Sequence, residues 1–345
     1  MGNSWVGIVA FIATLFVMIV VHETGHFLAA RAFGIKVEEF FIGFGPKLFS
    51  RRRHETEYGI KGIPLGGYVR IAGMNPWQPV TDDERPRTFG AKPAWQRAIV
   101  LSAGSATHFV MGAVIMIVVF AFIGLPGWST RLASVDPAGP AQVAGFKPGD
   151  RVLEVDGRRT KTWLDFRKIV QRSPGRQLSI VVDREGKRLT LTATPVAASD
   201  PEGGRKLVGR LGLASVDVEK EPLPKAFVSG VGYTGYLTTE SVKGIGRIFS
   251  PSGLRGVFNS LGGTGARSLD APIGLIGGGR EAGNLAARGQ LGYLLALFAN
   301  FIVFVGIINM APLPPLDGGH LVVLLLEKIR GKPVDMRKVV PVAAV

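Results

Sequence analysis

From Trp5 to Val21 the chain runs 17 residues without a charge, WVGIVAFIATLFVMIVV, and continues directly into HETGH. A helix that crosses a bilayer needs about 20 mostly apolar residues. A spanning helix here must therefore carry His22, Glu23 and His26 at its end. Ionisable groups at membrane depth cost roughly 2.5–3.5 kcal/mol each on insertion scales and ordinarily mark function. Three of them within five residues constrain this chain more than any other feature.

His22 and His26 are four residues apart, so on a helix they point about 40° apart and share one face. Two imidazoles so placed suit a tetrahedral zinc ion at about 2.0–2.1 Å. Glu23, turned about 100° from His22, reaches beside the metal rather than onto it, the arrangement in which an H-E-x-x-H glutamate serves as general base. A catalytic zinc also needs a third protein ligand and an open position. Asp317, in NMAPLPPLDGGH, is the candidate: an acid among apolar residues, followed by Gly318 and Gly319, which permit close backbone approach. Pro312, Pro314 and Pro315 break the helix before it and expose backbone groups that can take a substrate strand. The plainer alternative is a proline-rich turn that merely ends in Asp.

Two further apolar segments lie at Ile99–Leu125 and Leu291–Leu316, and a fourth begins at Val339, where the expectation is a span cut short. A net charge of +15 with a mean hydropathy of +0.26 fits a membrane protein with basic cytoplasmic loops better than a nucleic-acid binder. Basic residues cluster beside the apolar runs, at Arg51–Arg53 and at Lys328, Arg330 and Lys332. No Lys or Arg precedes the first run, which argues for a retained first span with its N-terminus outside. The basic loops after spans one and three then fall on one side, the cytoplasm. HETGH and PPLDGGH meet at that face, and the segment 126–290 lies outside. Cysteine is absent, so no disulfide framework is possible.

The expected organisation is a first span with HExxH (1–33), a cytoplasmic-side loop and membrane-associated β-hairpin (34–95), and a second span (96–125). A compact α+β domain follows (126–197), with alternating strands RVLEVDG, QLSIVVD and RLTLTATP and one helix at WLDFRKIVQR. A Gly-rich interfacial region with an amphipathic helix (198–289) leads to the third span with the LDG motif (290–326), then to a cytoplasmic loop and the start of a fourth span (327–345).

The pairing of HETGH with NMAPLPPLDGG resembles the site-two protease family of intramembrane zinc metalloproteases, especially the bacterial type with one extracytoplasmic PDZ domain, as in actinobacteria. FFIGFGPKLFS and EYGIKGIPLGGYVRIAGM resemble its membrane-associated hairpin, PAGPAQVAGFKPGDRVLEVDG its PDZ core, and DAPIGLIGG the segment before its third span. The resemblance implies a polytopic α-helical membrane protein with a hairpin and a PDZ domain. It also implies one zinc per chain held by His22, His26 and Asp317, Glu23 as catalytic base, and Asn309 as a substrate or transition-state contact. Gly43, Phe44 and Gly45 of the hairpin, with Pro312 and Pro314, would bind an unwound substrate strand by β-augmentation. Substrates would be single-pass membrane proteins, such as anti-sigma factors already trimmed by a first protease. The PDZ domain would take a peptide C-terminus or act as a size filter. Membrane lipid surrounds the chain, nucleic acid is no partner, and the expected site of action is the bacterial inner membrane.

One departure stands out. Where the family often has Ala-Gly-Pro followed by Asn-Phe, this chain reads AGSATHF, with Ser105 for the Pro and His108 for the Asn. His108 either faces the site as a hydrogen-bond donor or is a packed, satisfied histidine. His320 is expected to orient the Asp317 loop rather than bind metal. Two other classes compete. A catalytically silent PDZ scaffold has no need of Glu23 beside ligand-spaced histidines, and a transporter with a broken helix at APLPP predicts related halves, which residues 1–125 and 290–345 do not show.

Overall fold

The computed structural model describes residues 4–75, 79–125, 127–199, 207–215, 218–248, 250, 275–313, 316–332 and 334. In chain order these form α1 (Ser4–Ala32), β1 (Val37–Arg53), β2 (Thr56–Ile71), α2 (Ala94–Val118), β3 (Leu132–Val135), α3 (Pro140–Val143), β4 (Arg151–Val155), β5 (Arg158–Arg159) and α4 (Trp163–Gln171). There follow β6 (Leu178–Arg184), β7 (Lys187–Ala193), β8 (Val196–Ser199), β9 (Leu207–Arg210), β10 (Leu213–Ser215), α5 (Leu223–Ile248), α6 (Leu275–Ala287), α7 (Leu291–Asn309) and α8 (Asp317–Arg330). Among the described residues, three stretches are long and apolar enough to cross a membrane: Val9–Ala32, Ala94–Ile123 and Leu291–Asn309. At 1.5 Å per residue even the 19-residue α7 reaches about 28 Å, close to the hydrocarbon thickness. The run that starts at Val339 lies outside the described residues.

The chain divides into two units, residues 1–116 with 228–345, and residues 117–227. In the first, α1 is held at both ends. Its N-terminal half packs Phe11 against Ala282 of α6 and Leu294 and Phe298 of α7, with ring centroids 6.2 Å from Phe298 and 5.2 Å from Phe301. Its C-terminal half buries Phe27 and Ala30 with Ile35, Val37, Ile71 and Val100. That cluster fixes the β1–β2 hairpin against the end of the helix. The hairpin is antiparallel but bulged repeatedly between Val37 and Phe49. Glycines at positive φ, Gly43 at 87° and Gly45 at 83°, supply the bends, which a side chain would strain.

α7 stops at Asn309, and α8 begins only at Asp317. Pro312 lies in the turn between them, where it cannot continue a helix. The return is tight: a Cβ on Gly318 would lie 2.1 Å from the Met310 carbonyl oxygen. Glycine at 318 is thus what lets the chain double back and set Asp317 in the first turn of α8, where its charge also complements the helix dipole.

The second unit is built on a four-stranded antiparallel sheet ordered β5-β4-β6-β7, with two-stranded ribbons β10-β3 and β8-β9 beside it. Phe146, Val152, Phe166, Leu178, Ile180 and Val182 form its core. The alternation in LSIVVDR puts every second residue of β6 inward. α4 starts from a capping box, Thr162 Oγ1 accepting from Asp165 N at 3.1 Å while Asp165 Oδ2 accepts from Thr162 N at 3.2 Å. β9 and β10 belong to this unit, although they lie past residue 197, in the Gly-rich stretch where the sequence showed no strands. The amphipathic helix expected from 225 to 249 is α5.

Candidate active site

α1 and α2 approach closely because small residues face each other where they cross. A Cβ on Gly25 would have lain 2.6 Å from the Ala103 carbonyl oxygen. One on Gly104 would lie 2.2 Å from His26 Nε2 and 2.7 Å from His22 Cε1. Gly104 therefore leaves the space into which both imidazoles turn.

Asp317 comes to the same point from the first turn of α8. His22 Nε2 and His26 Nε2 are 3.2 Å apart, and Asp317 Oδ2 lies 3.6 Å from the first and 3.4 Å from the second. The three side chains are 12–18% exposed. Around a tetrahedral ion with bonds of 2.0–2.1 Å, ligand atoms sit about 3.3–3.4 Å from one another, so the triangle has the size of one face of such a site. Its chemistry agrees. The Val100 carbonyl can only accept, so His26 Nδ1–H donates to it at 2.8 Å, and in the neutral ring this leaves the Nε2 lone pair free for an ion. Among the described residues, His22, His26 and Asp317 are the set of His, Asp or Glu side chains whose donor atoms converge in this way.

Glu23 lies on the same turn, against the hairpin: a Cβ on Gly67 of β2 would be 3.2 Å from Glu23 Cγ and 3.3 Å from Ile19 Cγ2. Strand β2 thus runs alongside the helix that carries Glu23. Asn309 ends α7, partly buried, and its amide makes no side-chain hydrogen bond among the described residues. Gly43, Phe44 and Gly45 lie in β1. Gly43 presses on β2, where its Cβ would meet the Ile63 carbonyl oxygen at 2.7 Å, and Phe44 is 45% exposed. Pro312 is exposed in the turn before Asp317, and Pro314 lies outside the described residues.

A family model described as Peptidase family M50 matches residues 10–344. The chain belongs to that family, the site-two proteases. Zinc metalloprotease RasP of Geobacillus kaustophilus is 30% identical over 405 residues, 96% of this chain and 91% of the relative. Zinc metalloprotease Rip1 of Mycobacterium tuberculosis is 31% identical over 352 residues, 94% of this chain and 86% of the relative. A solved PDZ domain of an SdrC-like protein from Listeria monocytogenes aligns with 27% of this chain and 94% of its own length, at 20% identity and a TM-score of 0.23. This M50 chain is accordingly a metalloprotease with membrane-spanning helices, and zinc is the metal for which its relatives are named.

Two of the histidines weighed on sequence go to different places. His108, 2% exposed, meets His22. His320 in the first turn of α8 lines a cavity of about 530 Å³ together with Arg97, Leu101 and Glu327, and the described residues show no side-chain hydrogen bond from it to the Asp317 loop. Three contributors escaped the sequence reading, the Val100 carbonyl, Gly104 and Gly67, and Ser105, noted there only as a departure, donates from Oγ to Asp317 Oδ2 at 3.2 Å. A backbone carbonyl leaves no trace in a sequence. The small-residue pair Gly25 and Gly104 is the one signal that could have located the helix crossing.

Proposed function

We propose that this chain is an intramembrane zinc metalloendopeptidase that hydrolyses a peptide bond in or near the transmembrane helix of a single-pass protein. The observation that carries the proposal is the meeting of two imidazole nitrogens and a carboxylate oxygen, 3.2–3.6 Å apart, with Glu23 beside them at the end of a membrane-spanning helix. A peptide-binding scaffold without catalysis has no use for three acceptor atoms turned toward one point.

His22 Nε2, His26 Nε2 and Asp317 Oδ2 would hold the ion. Bound there, zinc supplies Lewis acidity toward the scissile carbonyl and toward water. Glu23 accepts a proton from the attacking water as its oxygen bonds to the carbonyl carbon, then hands that proton to the amide nitrogen as the C–N bond breaks. Asn309 offers its free amide N–H to the carbonyl oxygen as negative charge develops there.

A peptide bond inside a helix is shielded by its own hydrogen bonds, so the substrate must unwind first. The bent hairpin would take the unwound strand by main-chain pairing, a reading supported by β2 running beside Glu23. It exposes Phe44, Leu48, Phe49, Ile60 and Ile63, which suits a hairpin lying in the membrane. The positive-inside rule, applied to the basic loops, supports a site near the cytoplasmic side of a bacterial inner membrane, with the N-terminus and a PDZ-type unit outside. That unit would meet the new C-terminus left by a first protease on a substrate such as an anti-sigma factor.

Chelation tests the reading. Full-length protein in liposomes, stripped of metal, should stop cutting a trimmed single-pass substrate and should recover with about one equivalent of zinc. His22→Ala and Asp317→Asn should not recover. Cleavage by the stripped protein would end the proposal.

A further inference from the structure

His108 is an imidazole buried at 2% exposure in a membrane-spanning helix, and it touches the same hydrogen-bonded system as the metal triangle. Its Nε2 is 3.0 Å from His22 Nδ1. Its Nδ1 is 3.2 Å from the Ile302 carbonyl oxygen of α7. A carbonyl oxygen only accepts, so Nδ1 of His108 carries the proton and donates. In the neutral ring Nε2 is then the acceptor, and the proton between the two rings belongs to His22 Nδ1. This leaves His22 Nε2 bare on the side facing His26 Nε2 and Asp317 Oδ2. The reverse order of protons would set the lone pair of His108 Nδ1 against the Ile302 oxygen. It would also place a proton on His22 Nε2, inside the triangle.

We infer that His108 is a positioning residue for the metal site: it accepts the Nδ1–H of His22, fixes that ring in the tautomer and orientation that presents Nε2, and ties the ligand on α1 through α2 to the main chain of α7. The inference rests on the reading of His22 as a ligand. Ligating histidines generally donate their second N–H to a carboxylate, a carbonyl or water. His26 does this directly, to Val100. His22 Nδ1 meets a second imidazole, which passes the link on to the Ile302 carbonyl, and α7 makes room for that ring with a glycine. A Cβ on Gly306 would lie 2.7 Å from His108 Cβ. The residue found in place of the family's asparagine is therefore built into the site from two helices.

The test uses full-length protein in detergent, with zinc affinity read by chelator competition and the ligand field read from the visible spectrum of the cobalt(II) form. His108→Leu fills the space without an acceptor. His108→Gln retains an amide oxygen to accept from His22 and an amide N–H to donate to Ile302. The leucine variant should bind zinc about 10–100-fold more weakly and alter the cobalt bands, while the glutamine variant stays within about threefold of wild type with its bands preserved. Equal helical circular dichroism of the metal-free proteins shows that both are folded. Wild-type affinity and spectrum in His108→Leu would overturn the inference, as would equal weakening in both variants, because packing alone would then account for the effect. His22→Ala separates the two levels. If it loses zinc while His108→Leu does not, only the positioning role falls. If it binds zinc as wild type does, the ligand reading falls and takes the positioning role with it.

Discussion

Gly104 and His26 meet so closely that a Cβ on the glycine would lie 2.2 Å from the imidazole Nε2, the atom turned toward Asp317. The ring is held in that position by its 2.8 Å bond to the Val100 carbonyl. Gly104→Ala should therefore displace both histidines while leaving the helix intact, since alanine is the better helix former. The expected result is a loss of zinc affinity of about 100-fold or more, with unchanged helical circular dichroism. Retained affinity would mean that α1 and α2 do not cross at this point.

Substrate capture separates from metal binding at Gly43. Its φ of 87° disfavours any side chain by roughly 1–2 kcal/mol, and a Cβ would also press on the Ile63 carbonyl oxygen at 2.7 Å. Gly43→Ala should straighten or loosen the hairpin. Steady-state kinetics in liposomes should show kcat/KM for a trimmed single-pass substrate reduced about tenfold, with zinc content unchanged. A loss of zinc in this variant would assign the hairpin a structural role at the metal instead.

How much of this was legible beforehand depended on whether a function had a periodic signal. His22 and His26 were legible because four-residue spacing on a helix fixes a face, and Asp317 because an acid in an apolar setting demands a reason. The break after Asn309 followed from proline. Helix α6 was not legible: LIGGGREAGNLAA reads as a glycine-rich loop, and it is packing of Phe11 over Gly278 and Ala282 that makes the glycines useful. Strands β9 and β10 are too short to show alternation. The role of His108 needed the register of α2 against both α1 and α7, which no single helix encodes.

In the second unit Asp150 is fully buried. It accepts from Arg184 Nε at 2.7 Å, from Arg184 Nη2 at 2.8 Å and from the Lys147 amide at 2.9 Å. Burial pushes its carboxyl upward, but the Arg184 fork and the amide outweigh this and hold it below the usual aspartate value. A carboxyl depressed on folding stabilises the fold above its unfolded value of about 3.9 and loses that contribution as pH falls through the folded one. Hydrogen-exchange protection of Leu178–Arg184 should thus fall only below about pH 4. Arg184→Met, which leaves the charge buried without its main partner, should cost about 3–5 kcal/mol near neutral pH, and that cost should shrink as pH falls and Asp150 takes up a proton. Unchanged protection in that variant would show that the pair does not hold the sheet to its loop.

The central claim is that Glu23 moves protons beside a metal it does not hold. It is tested most directly by Glu23→Gln in full-length protein, with zinc content and cleavage of a trimmed single-pass substrate in liposomes measured on the same preparation. The account expects about one zinc per chain in both proteins and a rate at least 100-fold lower in the variant, the scale of a lost general base. Equal cleavage by the variant would contradict it.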